Sequence, residues 1–199
     1  MRAEYETFEP AFPLSRDRDF EEWRRRLGVL SSSKVLIRDA SATAQDGRQV
    51  HDLQVACSPL SVRSVGDNVS MIAEQVVLLA EIDGIHIGFC VSLRSSKDSD
   101  PLFIQVIGVA PEAQRRGVGL ALLTAAAERE PQRDIALATQ DSNTAARALN
   151  ERFASSIDSS IRRVSLGTYR DRDLGILRGL GYRAWGIRRP RVEPRTNCR

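Results

Sequence analysis

The segment that most constrains this chain lies in its middle, at residues 103–129, and reads FIQVIGVAPEAQRRGVGLALLTAAAER. Apolar residues up to Val109 predict a buried strand, and Pro111 ends it. The residues from Val118 to Arg129 predict a helix with one apolar face. A strand, a tight loop and a helix therefore follow one another directly. The loop opens the helix, where backbone N–H groups have no partner within the helix.

This loop has the chemistry of a diphosphate-binding site. A helix start carries a partial positive charge, and glycines let a ligand approach the backbone closely. Arg115 and Arg116 add charge beside Gly117 and Gly119. A P-loop would need Gly-Lys-Ser/Thr, which the sequence lacks. A dinucleotide-binding fingerprint would need a third small residue where Leu122 stands.

A third class of phosphate loop fits better. The pattern Gln/Arg-x-x-Gly-x-Gly/Ala, after a strand ending Val-x-Pro-Glu and before an amphipathic helix, resembles motif A of the GNAT superfamily. Upstream, EIDGIHIGF resembles the family's hairpin with a glycine in its second strand. Downstream, Asn143, Ala146 and Leu149 match its Asn-x-x-Ala-x-x-Leu pattern, and a later Leu-Gly-Tyr turn also resembles the family. The resemblance covers residues 74–153 and extends to 174–189.

The resemblance implies that acetyl-CoA is the acyl donor. In this family the strand before the loop separates from its neighbour, and the pantetheine arm enters the gap. Backbone groups near Ile107 and Val109 are expected to hold that arm, and Asn143, with Ala146 on the same helix, is expected to contact the cofactor. The residues expected at the pyrophosphate are Gln114, Arg115, Arg116, Gly117, Val118, Gly119 and Leu120.

For catalysis, the resemblance implies direct transfer from the thioester to an amine, with the Val109 N–H stabilising the thioester oxygen. The sequence does not identify the base: His86 has a suitable intrinsic pKa, although a lone strand histidine is often structural. Asn150 stands where many relatives place the tyrosine that protonates the thiolate. Tyr169, from the unmatched segment 154–173, is predicted to supply that proton. Protonation by solvent and an inactive protein are the alternatives.

Strands that alternate with helices predict an α/β fold with a mixed sheet around one core, in a single domain over residues 1–199. The resemblance to the GNAT superfamily implies that the central sheet is splayed and flanked by helices. Asp83-Gly84 predicts a hairpin turn, and residues 15–28 predict a helix capped by Ser15. VLIRD and VHDLQVAC, within residues 29–70, are interpreted as short strands among loops.

The later part of the chain is less regular. DIALATQ predicts a strand, followed by a helix that Ser142 or Asn143 caps and that ends near Phe153. LGILRGLGYRAWGIRR predicts a short helix, a turn at Gly181 and a strand. We divide the domain into a variable substrate-side part at 1–70, an acetyl-CoA-binding core at 71–153, an insertion-like segment at 154–173, and a C-terminal strand with a basic tail at 174–199.

Composition limits the other functions. The chain has 199 residues, of which 42% are hydrophobic and 28% charged, as in an ordinary globular domain. Three scattered cysteines and two histidines give neither a disulfide framework nor the spacing of a metal site. No apolar run reaches the ~18 residues that a membrane span needs, and the N-terminus does not resemble a signal peptide. We therefore expect a cytoplasmic protein without membrane contact.

Charge is distributed unevenly along the chain. Residues 147–199 hold 13 arginines and 5 acidic residues, although the net charge of the whole chain is only +3. Contact with a polyanion and a solvated arginine-rich surface both explain this region.

We expect an N-acetyltransferase acting on an amine-bearing acceptor of unknown class, and a homodimer is compatible with the sequence. The alternative is an acyl-CoA-binding or partner-binding module without turnover.

Overall fold

A computed structural model describes residues 18–31 and 34–190. The strands are β1 Leu36–Asp39, β2 Val76–Ile82, β3 Ile85–Arg94, β4 Leu102–Val109, β5 Ile135–Gln140, β6 Ile161–Val164 and β7 Tyr182–Ile187. The helices are α1 Arg18–Leu27, α2 Ala44–Ala56, α3 Val65–Glu74, α4 Val118–Arg129 and α5 Thr144–Ser156, with a 3-10 turn at Pro111–Ala113. Within the described ranges, no helix is long and apolar enough to cross a membrane.

The strands form one mixed sheet in the order β1-β2-β3-β4-β5-β7-β6. Every neighbouring pair is antiparallel except β4 and β5. That parallel pair is short, because only residues 102–104 pair with residues 135–137. β5 pairs with β7 along its whole length. β4 and β5 therefore separate after Ile104, and a gap opens beside the second half of β4.

A bulge in β4 coincides with the point of separation. Ser92 of β3 lies opposite Ile104, whereas the preceding Val91 lies opposite Val106. Gln105 is therefore an extra residue without a partner on β3. A bulge of this kind bends a strand and changes the direction of its side chains. The second half of β4 is thus set at an angle to the paired first half.

Helices cover both faces of the sheet. A Cβ on Gly88 of β3 would lie 3.3 Å from side-chain atoms of Val118 and Leu122, so α4 packs on this face. On the opposite face, the connection between α2 and α3 approaches β4, since a Cβ on Gly108 would lie 3.1 Å from Leu60 Cδ1. The core therefore lies on both sides of β3, which is buried along most of its length.

The structure confirms the mixed α/β sheet and several of the predicted elements. The predicted hairpin joins β2 and β3, and Asp83 and Gly84 have φ angles of 52° and 73°, as a type I′ turn requires. VLIRD contributes β1, and Asn143 is the N-cap of α5. The helix predicted over residues 15–28 is α1, and its predicted cap, Ser15, lies outside the described residues.

Other predictions of secondary structure were wrong. VHDLQVAC belongs to α2 and not to a strand. This helix starts where the Thr43 side chain accepts a hydrogen bond from the Asp46 N–H, and α3 starts in the same way at Ser64. Residues 174–180 form turns and not a short helix, because positive φ angles at Gly175 and Gly179 interrupt helical geometry. α5 extends to Ser156, beyond its predicted end near Phe153, and β6 lies within the segment 154–173, for which no strand was predicted.

Candidate active site

The second half of β4 directs backbone groups into the gap beside β5. Ala110 N–H donates to Ile87 O of β3 at 2.9 Å. Along an antiparallel strand, the N–H groups of alternate residues point to the same neighbour. The N–H groups of Ile107 and Val109 therefore point away from β3, to the side from which β5 has separated. The two residues predicted to hold pantetheine thus present donors to the gap.

The loop after β4 has a backbone shape suited to an anion. Arg115 and Gly117 have φ angles of 61° and 79°, in the left-handed region. This region is uncommon for a residue other than glycine, and strain of this kind clusters at ligand-binding sites. Alternation of right- and left-handed residues can turn successive N–H groups toward one point. The loop is therefore a candidate anion-binding nest.

The first turn of α4 supplies further donors. The first hydrogen bond of the helix runs from Ala121 N–H to Gly117 O at 3.0 Å. The N–H groups of Val118, Gly119 and Leu120 precede it, so they have no acceptor within the helix. Free amides at the positive end of a helix dipole favour a phosphate group. Three of the predicted pyrophosphate contacts therefore come together here.

Gln114 and Arg116 also make contacts within the protein. Gln114 N–H donates to Pro111 O at 3.3 Å, and its side-chain Nε2 donates to Val109 O at 3.2 Å. The Arg116 guanidinium donates to Leu30 O, just after α1, at 3.4 Å. Gln114 thus fastens the loop to the end of β4, and its main-chain N–H already has an acceptor. Arg116 links the loop to the α1 region.

α5 packs close to the start of α4. A Cβ on Gly119 would lie 3.1 Å from Leu149 Cδ2, so this residue must be small for the two helices to approach. Asn143 Oδ1 accepts a hydrogen bond from Ala146 N–H at 2.9 Å. The side-chain oxygen of Asn143 and the amide of Ala146 are therefore used in the cap of α5. Asn143 and Ala146 were both predicted to contact the cofactor. The Asn143 Nδ2 group can still donate a hydrogen bond to such a ligand.

His86 lies in a buried cluster with α1 and α2. Its ring stacks on Trp23 at a centroid distance of 4.7 Å, and its main-chain oxygen accepts from Trp23 Nε1 at 2.9 Å. Its Nε2 is buried without a hydrogen-bond partner, 3.7 Å from Asp52 Oδ2. Gly88 pairs with Val109, so His86 lies two residues past the end of β4. The structure does not bring His86 to the gap, and its predicted catalytic role stays a prediction.

Tyr169 lies beside the paired start of β4. Its ring meets Phe103 edge-on at a centroid distance of 5.2 Å. Burial raises its pKa, and so do the nearby carboxylates of Asp134 and Asp100, which precede β5 and β4. Phe103 is four residues from Ile107, or roughly 13 Å along a strand. Tyr169 therefore remains protonated at neutral pH, but the structure does not bring it to the gap, and its role as the acid stays a prediction.

The sequence analysis missed the residues that border the gap on the face opposite α4. Gln105 Nε2 donates to Arg172 O and to Asp173 O at 3.0 and 3.1 Å. Leu60 approaches Gly108 on the same face. The connection between β6 and β7, residues 165–181, and the connection between α2 and α3 thus flank β4. No local pattern indicated these contacts, because they join distant parts of the chain.

The arginines of the predicted basic region are paired in several places. Arg170 contacts Asp173 at 2.7 Å, and Arg183 contacts Asp141 at 2.7 Å. Arg147 pairs with Glu151 at 2.9 Å. The tail at residues 191–199 lies outside the described residues. Contact of this region with a polyanion therefore stays a prediction.

The sequence and the fold of this chain are similar to those of known proteins. The sequence model of the Acetyltransferase (GNAT) family matches residues 48–154. The chain belongs to the GNAT acetyltransferase family. At the level of the family, the predictions of the α/β fold, of an acyltransferase and of acetyl-CoA as the acyl donor are confirmed.

Three known proteins are similar to this chain in part of the sequence or in fold. An L-2,4-diaminobutyric acid acetyltransferase of Vibrio cholerae serotype O1 is 30% identical over 95 residues, which are 47% of this chain and 55% of that enzyme. The match thus spans about half the length of that relative. The structure of diaminobutyrate acetyltransferase from Paenibacillus lautus, in complex with L-2,4-diaminobutyric acid and coenzyme A, has a TM-score of 0.62 at 21% identity, over 78% of this chain and 95% of that chain. N-acetylglutamate synthase from Neisseria gonorrhoeae, complexed with coenzyme A and N-acetyl-glutamate, has a TM-score of 0.60 at 18% identity, over 80% of this chain and 36% of that chain. Both structures share the fold.

Proposed function

We propose that this GNAT protein transfers an acetyl group from acetyl-CoA to the amine of a small amino acid of the diaminobutyrate type. One observation supports the proposed transferase activity. β4 separates from β5 directly before a loop and a helix start that are rich in free N–H donors. The acceptor class is supported by the relative from Vibrio cholerae and by the acceptor bound to the enzyme from Paenibacillus lautus.

The donor side of the site suits a diphosphate with an extended arm. The amides of Val118, Gly119 and Leu120 bind the pyrophosphate, and the stretch 114–120 contains two arginines and no acidic residue. The N–H groups of Ile107 and Val109 hold the pantetheine arm along β4. Acetyl-CoA supplies the acetyl group as a thioester, which an amine can attack directly.

The chain contributes orientation and electrostatic stabilisation to the transfer. The Val109 N–H is fixed by the strand and stabilises the negative charge that develops on the thioester oxygen. The acceptor amine must lose a proton before it attacks. A thiolate is a tolerable leaving group near neutral pH, so it can depart without a proton from a general acid. Asn150, which is buried in α5, has no ionisable proton to supply. No acetyl group is left on the protein in this direct transfer.

The acceptor approaches from the face opposite α4, between Leu60 and the turn that holds Arg172 and Asp173. The guanidinium groups of Arg170 and Arg172 contact Asp173 at 2.7 and 3.6 Å, but their side chains are still 63% and 76% exposed, so both can also meet a ligand from solvent. Guanidinium groups bind carboxylates through charge-assisted hydrogen bonds. This surface therefore favours an acceptor that carries a carboxylate beside its amine.

An amine panel tests the proposal. Acetyl-CoA is incubated with the protein and with L-2,4-diaminobutyrate, L-glutamate, a polyamine, or a peptide with a free N-terminus. Thiol release and the mass of the product are measured. The proposal expects the highest kcat/KM with L-2,4-diaminobutyrate. Acetylation of the peptide alone would contradict the acceptor class, and binding of acetyl-CoA without amine-dependent thiol release would favour a module without turnover.

A further inference from the structure

We propose that Gln105 is a positioning residue for the acceptor amine, acting through the turn at residues 170–176. This inference rests on the proposed function and adds to it the residue that sets the acceptor side. Gln105 is the bulged residue of β4, and it directly follows the last residue that pairs with β5. Its side chain therefore starts at the point where the gap opens.

Two hydrogen bonds join Gln105 to the turn. Its Nε2 donates to Arg172 O at 3.0 Å and to Asp173 O at 3.1 Å, so both amide protons are used. Gly175 packs on the same residue, since a Cβ there would lie 3.4 Å from both Gln105 Cβ and Gln105 O. The turn thus contacts the bulge through hydrogen bonds and through close packing.

The turn is itself a well-connected unit. Asp173 N–H donates to Arg170 O and Ile176 N–H donates to Asp171 O, both at 2.9 Å. The Asp173 carboxylate is buried and pairs with Arg170 at 2.7 Å. These bonds restrain the backbone of the turn. A contact at one point of the turn therefore restrains the backbone from which the exposed side chains of Arg170 and Arg172 extend.

This arrangement ties the acceptor surface to the strand that binds the thioester. The bulge sets the angle of β4 residues 106–109, and the Gln105 side chain sets the turn relative to that same bulge. Transfer requires the amine and the thioester carbon to be held close together, and a displacement of about 1 Å can lower the rate substantially. Gln105 therefore fixes the separation between the acceptor and the donor.

The test compares substitutions at Gln105. Gln105→Met has a similar length without donors, Gln105→Glu places a carboxylate against two carbonyl oxygens, and Gln105→Lys restores an N–H donor. Gln132→Met is the matched control, since Gln132 is exposed on the turn after α4. A displaced turn misplaces the bound amine, so kcat/KM for L-2,4-diaminobutyrate should fall roughly tenfold in the Met variant, with part of the loss in kcat. The Glu variant should lower it further, the Lys variant should recover part of the loss, and the KM for acetyl-CoA should not change.

Amide hydrogen exchange supplies a second readout that does not need turnover. The Gly175 and Ile176 amides should exchange faster in Gln105→Met than in the wild type or in Gln132→Met. An active Gln105→Met variant with the wild-type kcat/KM for L-2,4-diaminobutyrate, or with unchanged exchange at these amides, would overturn this inference alone. A wild-type protein that acetylates no amine would overturn the proposed function, and the positioning role with it.

Discussion

Glutamate in place of Gly119 would put a carboxylate at the start of α4, where we propose that the pyrophosphate binds. Helix side chains lean toward the N-terminus of the helix, so the new group would lie beside the free amides of residues 118–120. Two unit charges about 6 Å apart repel by roughly 3 kcal/mol at an effective dielectric constant of about 20. This repulsion predicts a loss of acetyl-CoA affinity of about 100-fold or more.

A neutral control separates charge from packing. A Cβ at residue 119 already lies 3.1 Å from Leu149 Cδ2, so every larger residue must displace that side chain. Gly119→Gln has nearly the same shape as Gly119→Glu and imposes the same displacement without the charge. Calorimetric titration with acetyl-CoA measures the affinity of both variants, and circular dichroism checks that both are folded. Equal affinities in the two variants would refute the placement of the anion at the start of α4.

Three further predictions concern residues outside the gap. Tyr169→Phe tests the predicted acid: a fall in turnover of about 10²-fold would confirm that role, and turnover equal to that of the wild type, which the position of Tyr169 against the paired start of β4 favours, would eliminate it. Trp23→Phe keeps an aromatic ring on His86 but removes the Nε1 hydrogen bond to its main-chain oxygen, so urea unfolding should show a loss of about 1–2 kcal/mol, and unchanged stability would argue against this anchor of α1. Arg38 lowers the pKa of Asp46 in the folded protein, so the pair stabilises the fold above pH ~4 and this contribution disappears as the pH falls through the lowered pKa. Arg38→Met should therefore be less stable at neutral pH and should show a flatter loss of stability below pH ~4; unfolding curves parallel to those of the wild type would contradict this.

The donor side of the site was predictable because its signals are local. Gly117, Gly119 and the arginines between Gln114 and Gly117 lie within six consecutive residues, and the strand before them and the helix after them have clear apolar patterns. Helix starts and tight turns depend on the residues at those positions. The sequence alone therefore indicates the loop, the helix and the free amides.

The acceptor side depends on contacts between distant residues. Gln105 bonds to residues 67 and 68 positions away, and no neighbouring residue indicates that partner. α2 was missed for a related reason, since its inward side includes the polar residues Asp46, Asp52 and Gln54, which conceal its apolar face. Partners elsewhere in the chain make this burial tolerable: Arg38 bonds to Asp46, and Asn68 bonds to Gln54. Tertiary structure is needed to recognise both features.

We propose that acetyl-CoA bound between β4 and β5 donates its acetyl group directly to a small amino acid. The most direct measurement follows isotope-labelled acetyl-CoA in a single turnover with L-2,4-diaminobutyrate. We expect labelled N-acetyl product and free coenzyme A in equal amounts, and no label on the protein. Coenzyme A released without acetylated amine, or label retained on the protein, would contradict direct transfer.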